Sequence, residues 1–384
     1  MKASWIHIAV FYQLFLSAGI TGQKTQLNLK NQVSGWATAG FSDPFSYQFG
    51  MRYIPTLSIA DSLGKNRILD MEVSGNMWAN ALFAGKNYEN GNASITPYRL
   101  WIRYATPRIE FRIGLQKINF GSATILRPLM WFDKMDFRDP LQLTDGVYAF
   151  LSRYYFHNNA NIWFWTLYGN EETKGWEAVP TQKRIPEAGG RFQFLTPRGE
   201  AAITYHFRRA EFMPPSDTLP ESYFAQYPEN RIGIDGRWDI GVGLWFEYVV
   251  KYNDMAHEVI PKWETYLNLG TDYTFPIGNG LNMTAEYFRY GAGAEFTGER
   301  QHNNFLVVAA NYPLGILNNI SAVVYYSPDL QDWYRIISLQ RRYDYWSFYL
   351  MTFWNPDRFA LYKAENGRNL FAGKGLQFMA VVNL

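Results

Sequence analysis

Apolar and polar residues alternate with period two along stretch after stretch of this chain, and that rhythm limits its fold more than any motif does. Phe45, Tyr47, Phe49, Met51 and Tyr53 alternate with Ser46, Gln48, Gly50 and Arg52. Leu69, Met71, Val73, Gly75 and Met77 alternate in the same way with Asp70, Glu72, Ser74 and Asn76. The pattern returns at Ala201, Ile203, Tyr205 and Phe207, and at Val242, Leu244, Phe246, Tyr248 and Val250. Successive side chains of a strand point to opposite faces, so each stretch reads as a strand with one apolar and one polar face. A soluble sandwich and a membrane barrel both produce this alternation, and the connections must separate them.

Composition removes several classes. Lys and Arg number 36 against 34 Asp and Glu, a net charge of +2 that recruits no nucleic acid. With Cys 0 and His 5, there is no disulfide scaffold, thiolate site or histidine metal centre to expect, and no cofactor. Aromatic residues make up 18% beside a mean hydropathy of −0.26. Beyond the N-terminus no run of about 18 apolar residues occurs, which excludes a helical membrane protein. A barrel whose lipid-facing and lumen-facing residues average to a polar mean fits these values.

The N-terminus reads as an export signal over residues 1–22. Lys2 precedes the apolar stretch Trp5 to Leu16, and small residues follow at Ser17, Ala18 and Gly19. Residues 23–384 are then one mature domain.

About eighteen strands (16–18) are expected across that domain, or about 20 residues for each strand with its connection, as in outer-membrane barrels. Tight connections at 106–107, 196–198, 276–279 and 343–344 alternate with long polar ones near 85–96, 120–144, 170–187, 211–229, 253–262, 291–303 and 355–373. One rim of turns and one of loops, with short exceptions at 42–44 and 328–332, describes an all-β, transmembrane, antiparallel up-and-down barrel in the outer membrane of a Gram-negative bacterium. Outer-membrane lipid is its first partner, and a homo-oligomer is compatible with the class. Tyr98, Trp101, Tyr154, Tyr155, Trp163, Trp165, Trp346, Trp354 and Tyr362 supply interfacial girdles, with some of them turned to the lumen. Leu376, Phe378, Ala380, Val382 and Leu384 carry the alternation to the last residue. This resembles the terminal strand read by the barrel-assembly machinery, although Leu384 stands where an aromatic residue is usual; periplasmic chaperones would share in biogenesis.

The segment from Arg108 to Gly121, RIEFRIGLQKINFG, followed by Arg127-Pro128 and Asp139-Pro140, resembles a segment of porin-like barrels of the alginate-export and phosphate-selective type. The wider composition and final strand are similar to outer-membrane porin-like proteins of the Bacteroidota. The resemblance implies passage of small hydrophilic or anionic solutes, or of a polymer.

Parity places Arg52, Arg99, Arg103, Glu110, Arg112, Arg191, Glu200, Arg208, Arg231, Asp235, Arg237, Asp239, Glu247, Lys251, Glu264, Asp272 and Glu286 in the lumen, because an Arg or Lys facing mid-bilayer lipid costs about 2–4 kcal/mol. Arg99, Arg103, Arg112 and Arg191 together predict a mild anion preference. The alternative is a salt-bridged plug in a closed structural or assembly barrel that presents loops to partners. The connection 120–144 mixes Leu126, Leu129, Met130, Trp131, Phe132, Met135 and Phe137 with Arg127, Asp133, Lys134, Asp136, Arg138 and Asp139. So apolar a loop must pack against something, either inside the lumen as a constriction or as a lid or oligomer contact. Catalytic motifs are absent, and a hydrolase built on His206, His257 or His302 with a neighbouring Ser or Thr is the minor alternative.

Overall fold

A computed structural model of the chain describes residues 25–41, 43, 45–133, 135, 139–212, 225–255, 260–296, 298–356 and 371–384. The export signal at 1–22 lies outside them. Eighteen strands follow in chain order: β1 (Gln26–Gly40), β2 (Ser46–Ser62), β3 (Ile68–Ala84), β4 (Asn87–Ala105), β5 (Ile109–Gln116), β6 (Val147–Tyr155), β7 (Asn161–Leu167), β8 (Glu187–Thr196) and β9 (Gly199–Phe212). The second half holds β10 (Ala225–Asp239), β11 (Gly243–Asn253), β12 (Trp263–Phe275), β13 (Leu281–Gly293), β14 (Glu299–Pro313), β15 (Asn318–Ser327), β16 (Asp332–Arg342), β17 (Trp346–Trp354) and β18 (Lys374–Asn383).

Each strand pairs antiparallel with the next, and β18 returns to β1 in the register Val33↔Val382 to Gly40↔Gly375, so the single 18-stranded sheet is closed. Closure leaves no edge, which lets a sheet cross lipid without orphaned backbone groups. The outward face carries the apolar half of the alternation: Phe49, Met51, Leu100, Phe111, Ile113, Phe164, Ile203, Leu306, Leu350 and Phe378 are all exposed. In water such a continuous belt would be an aggregation surface; around a closed barrel it is the lipid-contacting surface.

Two expectations about strand and side-chain placement change. The polar stretch 85–96 is strand rather than loop: β3 and β4 turn tightly at 85–86 and stay paired from Ala84↔Asn87 downward. A ladder is held by backbone bonds, so Asn, Glu and Gly suffice where no lipid is faced, and no apolar rhythm betrays it. Likewise the 291–303 connection shrinks to 294–298. A register shift between Ser74 and Gly75 puts Pro97, which has no N–H to donate, at an irregularity. Arg99 and Trp101 below it, and Asn92 and Thr96 above it, can then all face inward.

The girdle also shrinks. Trp346 and Trp354 do face outward at opposite ends of β17. Trp165, by contrast, is fully buried in the lumen. Trp101 and Trp163 also point inward, beneath the guanidinium groups of Arg112 (4.8 Å) and Arg153 (3.8 Å). Tyr155 shares the inward parity of Arg153, Tyr98 lines a lumen cavity, and Tyr362 lies outside the described residues. Charged neighbours on the lumen face make indoles useful there as cation platforms.

The core sits inside the barrel. Ile118, Phe120, Ile125, Leu126, Leu129, Trp131 and Phe132, all from the connection between β5 and β6, pack on inward residues of β6, β7 and β11–β16, including Leu151, Trp165, Val249, Phe288, Tyr325 and Tyr334. The apolar loop thus buries its surface in the lumen.

Candidate functional site

Two loops enter the lumen, and inward-facing carboxylates hold the first of them. Glu286 on β13 accepts the N–H groups of Thr124 (2.8 Å), Ile125 (3.1 Å) and Leu126 (2.8 Å), and the Thr124 hydroxyl (2.8 Å). Glu247 on β11 accepts the N–H groups of Ala123 (2.8 Å) and Leu129 (2.9 Å). Asp235 accepts the Ser122 hydroxyl at 3.0 Å, and Asn268 donates to the Leu126 carbonyl at 2.7 Å. Gly121 is required at this point: its φ is +105, and an added Cβ would lie 2.3 Å from the Glu247 carboxylate. Within the loop, Arg127 pairs with Asp133 at 3.0 Å and donates to Asn119 and to the Phe120 carbonyl. Trp131 is buried edge-on to Phe120 at 5.6 Å.

The second loop, 168–186, brings Lys174, Trp176 and Glu177 to the same wall. Glu177 binds Arg208 (3.2 Å) and Arg231 (2.8 Å), both of which also bind Glu229. Lys251 continues the chain from Glu229 to Glu264, and Lys174 links Glu177 to Glu187. Trp176 donates its indole N–H to the Arg127 carbonyl at 2.7 Å, tying the loops together.

Most of the charges expected in the lumen are therefore inward but occupied. Arg103 pairs with Asp70 (2.6 Å), Arg112 and Arg153 with Glu110 (3.1 and 3.4 Å), Arg191 with Asp235 (2.6 Å) and Arg237 with Asp272 (2.8 Å). Arg99 donates to the carbonyls of Tyr98 and Thr144. Arg52 borders a cavity instead, and Asp139 borders two; its carboxylate accepts the N–H groups of Leu141 and Leu143. Asp136 and Arg138 lie outside the described residues. His206 has both nitrogens engaged, with Glu187 at 3.0 Å and the Trp165 indole at 3.2 Å, which leaves none to activate a hydroxyl.

Two of the cavities that remain are amide-rich. A cavity of about 500 Å³ opens beneath the loop rim, walled by β1–β4 and β18, with Gln48, Asn76, Asn80, Asn92 and Gln377 beside Trp36 and Trp78. A second, of about 320 Å³, reaches the turn rim through Asn282, Asn311, Asn319, Ser321 and Gln340. Both touch Asp139 and Pro140, so segment 139–142 stands between them. Sequence reasoning marked the lumen by its charges and passed over these amides, although Gln48 and Gln377 sit on the polar parity of their strands. It also missed the second loop, whose Trp176 and Glu177 carry no periodic signal.

Solved barrels share this fold. OccK7 of Pseudomonas aeruginosa superposes with a TM-score of 0.56 at 10% identity, covering 95% of this chain and 99% of that one. OccK5 of the same organism gives 0.56 at 11% identity, over 94% and 97%. The outer membrane channel DcaP of Acinetobacter baumannii gives 0.53 at 9% identity, over 94% and 97%. The fold is that of outer-membrane channel barrels. No protein-family model matches the chain, and no curated protein does. At such identities the likeness concerns the backbone, and the lumen chemistry must be argued from this chain's own residues.

Proposed function

We propose that this protein is a porin-like outer-membrane channel passing small hydrophilic solutes by diffusion, with segment 117–146 narrowing the lumen. The observation that carries the reading is the pair of polar cavities, one toward each rim, meeting at Asp139 and Pro140. The first inserted loop packs on inward residues of β6, β7 and β11–β16, and the two amide-lined cavities are left for solute.

The lining favours uncharged solutes over anions. Arg99, Arg103, Arg112 and Arg191, the residues expected to attract anions, are held by carbonyls or carboxylates, and a paired cation contributes little field at a distance. Around the larger cavity Arg52 stands against Asp139, Asp145 and Glu172. Passage of a phosphate-like anion or an acidic polymer, which the resemblance at 108–140 implies, has less support from these residues.

Planar-bilayer recording of the purified mature chain tests the proposal. Stable single-channel steps in KCl, enlarged when 124–133 is deleted, are expected. Absence of conductance would favour the closed barrel that presents its loops to partners, a reading for which the ion-paired half of the lumen is the supporting observation.

A further inference from the structure

Three residues near the loop-side rim form one row across the outer face of β16, β17 and β18. Arg335 pairs with Trp354, and Trp354 pairs with Lys374. Parity fixes the face: Tyr334, Ile336 and Phe353 are buried in the lumen, so their neighbours Arg335 and Trp354 point outward, and Lys374 shares the outward parity of Leu376 and Phe378. Trp354 is 56% exposed.

The two cations flank a single indole. The Arg335 guanidinium sits 5.3 Å from the Trp354 ring centroid and the Lys374 ammonium 4.9 Å from it. Because β16 and β18 lie on opposite sides of β17, the cations approach the ring from opposite sides. Arg335 also lies 5.6 Å from the Trp333 ring, which packs beside Tyr326 with centroids 4.5 Å apart. Indoles at a membrane interface hold cations at headgroup height in this way.

Neither cation is neutralised by the protein. Lumen arginines such as Arg191 and Arg208 meet carboxylates, whereas among the described residues no carboxylate pairs with Arg335 or Lys374. A cation on the outer face of a barrel is costly at mid-bilayer and tolerated only near the headgroups, where its counter-charge must come from the membrane. Toward the membrane centre the same face turns apolar. The next outward residues are Ile337 and Leu339 on β16, and Leu376 and Phe378 on β18, all exposed.

We infer that Arg335 and Lys374 form a binding site for the phosphate of an anionic lipid in the outer leaflet, with its acyl chains lying along Ile337, Leu339, Leu376 and Phe378. Phosphate oxygens accept from the guanidinium and ammonium N–H groups, which are donors only. A free phosphate would use the cations alone; a lipid uses the cations and the apolar wall beneath them. A zwitterionic headgroup brings a cation of its own, which these two repel. The site stands apart from the channel reading, because it requires only a closed barrel seated in a membrane.

The test is native mass spectrometry of the folded mature chain in detergent, titrated with dioleoyl phosphatidylglycerol and, separately, with dioleoyl phosphatidylcholine. The first phosphatidylglycerol is expected to bind about tenfold more tightly than phosphatidylcholine. Its dissociation constant should rise about threefold in Arg335→Gln or in Lys374→Gln, and about tenfold when both are replaced. Arg341→Gln, which removes an outward cation beside Tyr343 at the turn end of the same β16, should leave it unchanged. Heat-modifiable gel migration verifies that each variant is folded, and single variants on separate strands guard against loss of one. Equal affinity for the two lipids, equal binding by wild type and the double variant, or an equal loss in Arg341→Gln would overturn the site. Displacement of the bound lipid by millimolar inorganic phosphate would assign the cations to free anions and overturn the lipid as occupant; lipid that persists under phosphate supports it.

Discussion

Glu286 and Leu126 lie 160 positions apart in the chain, yet the Leu126 N–H donates to the Glu286 carboxylate at 2.8 Å, and the same carboxylate takes the two preceding N–H groups of the loop. With Glu247 it forms a two-point clamp on a segment that crosses the lumen. A carboxylate in place of water satisfies donors that burial would otherwise orphan, and each such charged bond contributes about 1.5–3 kcal/mol.

Replacing both clamps should free the loop. The double variant Glu247→Ala, Glu286→Ala is expected to raise mean single-channel conductance at least about twofold and to add open-channel noise, while heat-modifiable migration persists because the backbone ladder is untouched. Conductance equal to wild type would mean that the segment does not limit the pore.

The buried ion cluster predicts an asymmetry between single and combined replacement. Arg208→Ala strands Glu229 and Glu177, which Arg208 contacts at 2.7 and 3.2 Å, and should cost about 3–5 kcal/mol, read as a lower urea midpoint in refolding from detergent. Arg208→Met and Arg231→Met combined with Glu229→Gln and Glu177→Gln should recover a large part of that loss, because Lys174 keeps Glu187, Lys251 keeps Glu264 and no uncompensated charge is left behind.

Acid should weaken the second loop. Burial pushes the Glu177 carboxyl up, but Arg208, Lys174 and Arg231 together outweigh it and hold the group below its ordinary value of 4.5. A carboxyl held down in the folded state contributes stability that is complete above its unfolded pKa and is lost as pH falls through the lower folded value. The midpoint of the heat-induced gel shift should therefore contain no Glu177 contribution to any change above about pH 5, and that contribution should fall away below about pH 4. Glu177→Gln should lower the midpoint at neutral pH and reduce the acid dependence. An acid dependence identical in wild type and variant would assign the loss to another group.

Ion selectivity should be weak. With the lumen arginines paired, the chloride-to-potassium permeability ratio is expected within about threefold of unity, and Arg52→Ala should move it toward potassium. A reversal potential demanding a strong anion preference would restore the charged-lumen reading.

How much of this was legible beforehand follows from the range of each signal. Parity is local: neighbouring side chains oppose each other wherever a strand forms, so Phe49 outside and Gln48 inside could be read from a few residues. Glu247 and Arg208, on the polar parity of their strands, are both buried. It failed at Tyr98, where a register shift interrupts the alternation, and at Asn87 to Thr96, where a ladder exposed to water on both sides needs no apolar face. Trp101, Trp163 and Trp165 are ambiguous in principle, because an indole suits both a lipid interface and a cation-lined lumen.

The sequence by itself determined that the chain forms paired strands with an apolar outer belt, that they number about eighteen, and that the 120–144 connection has to be covered, since strand period, connection length and loop hydrophobicity are all properties of contiguous residues. Only the tertiary structure decided what covers that loop and which inward groups remain free. Leu129 meets Glu247 across 118 positions and Thr124 meets Glu286 across 162. No local pattern encodes such pairings, because they arise when barrel closure brings distant walls around one shared volume.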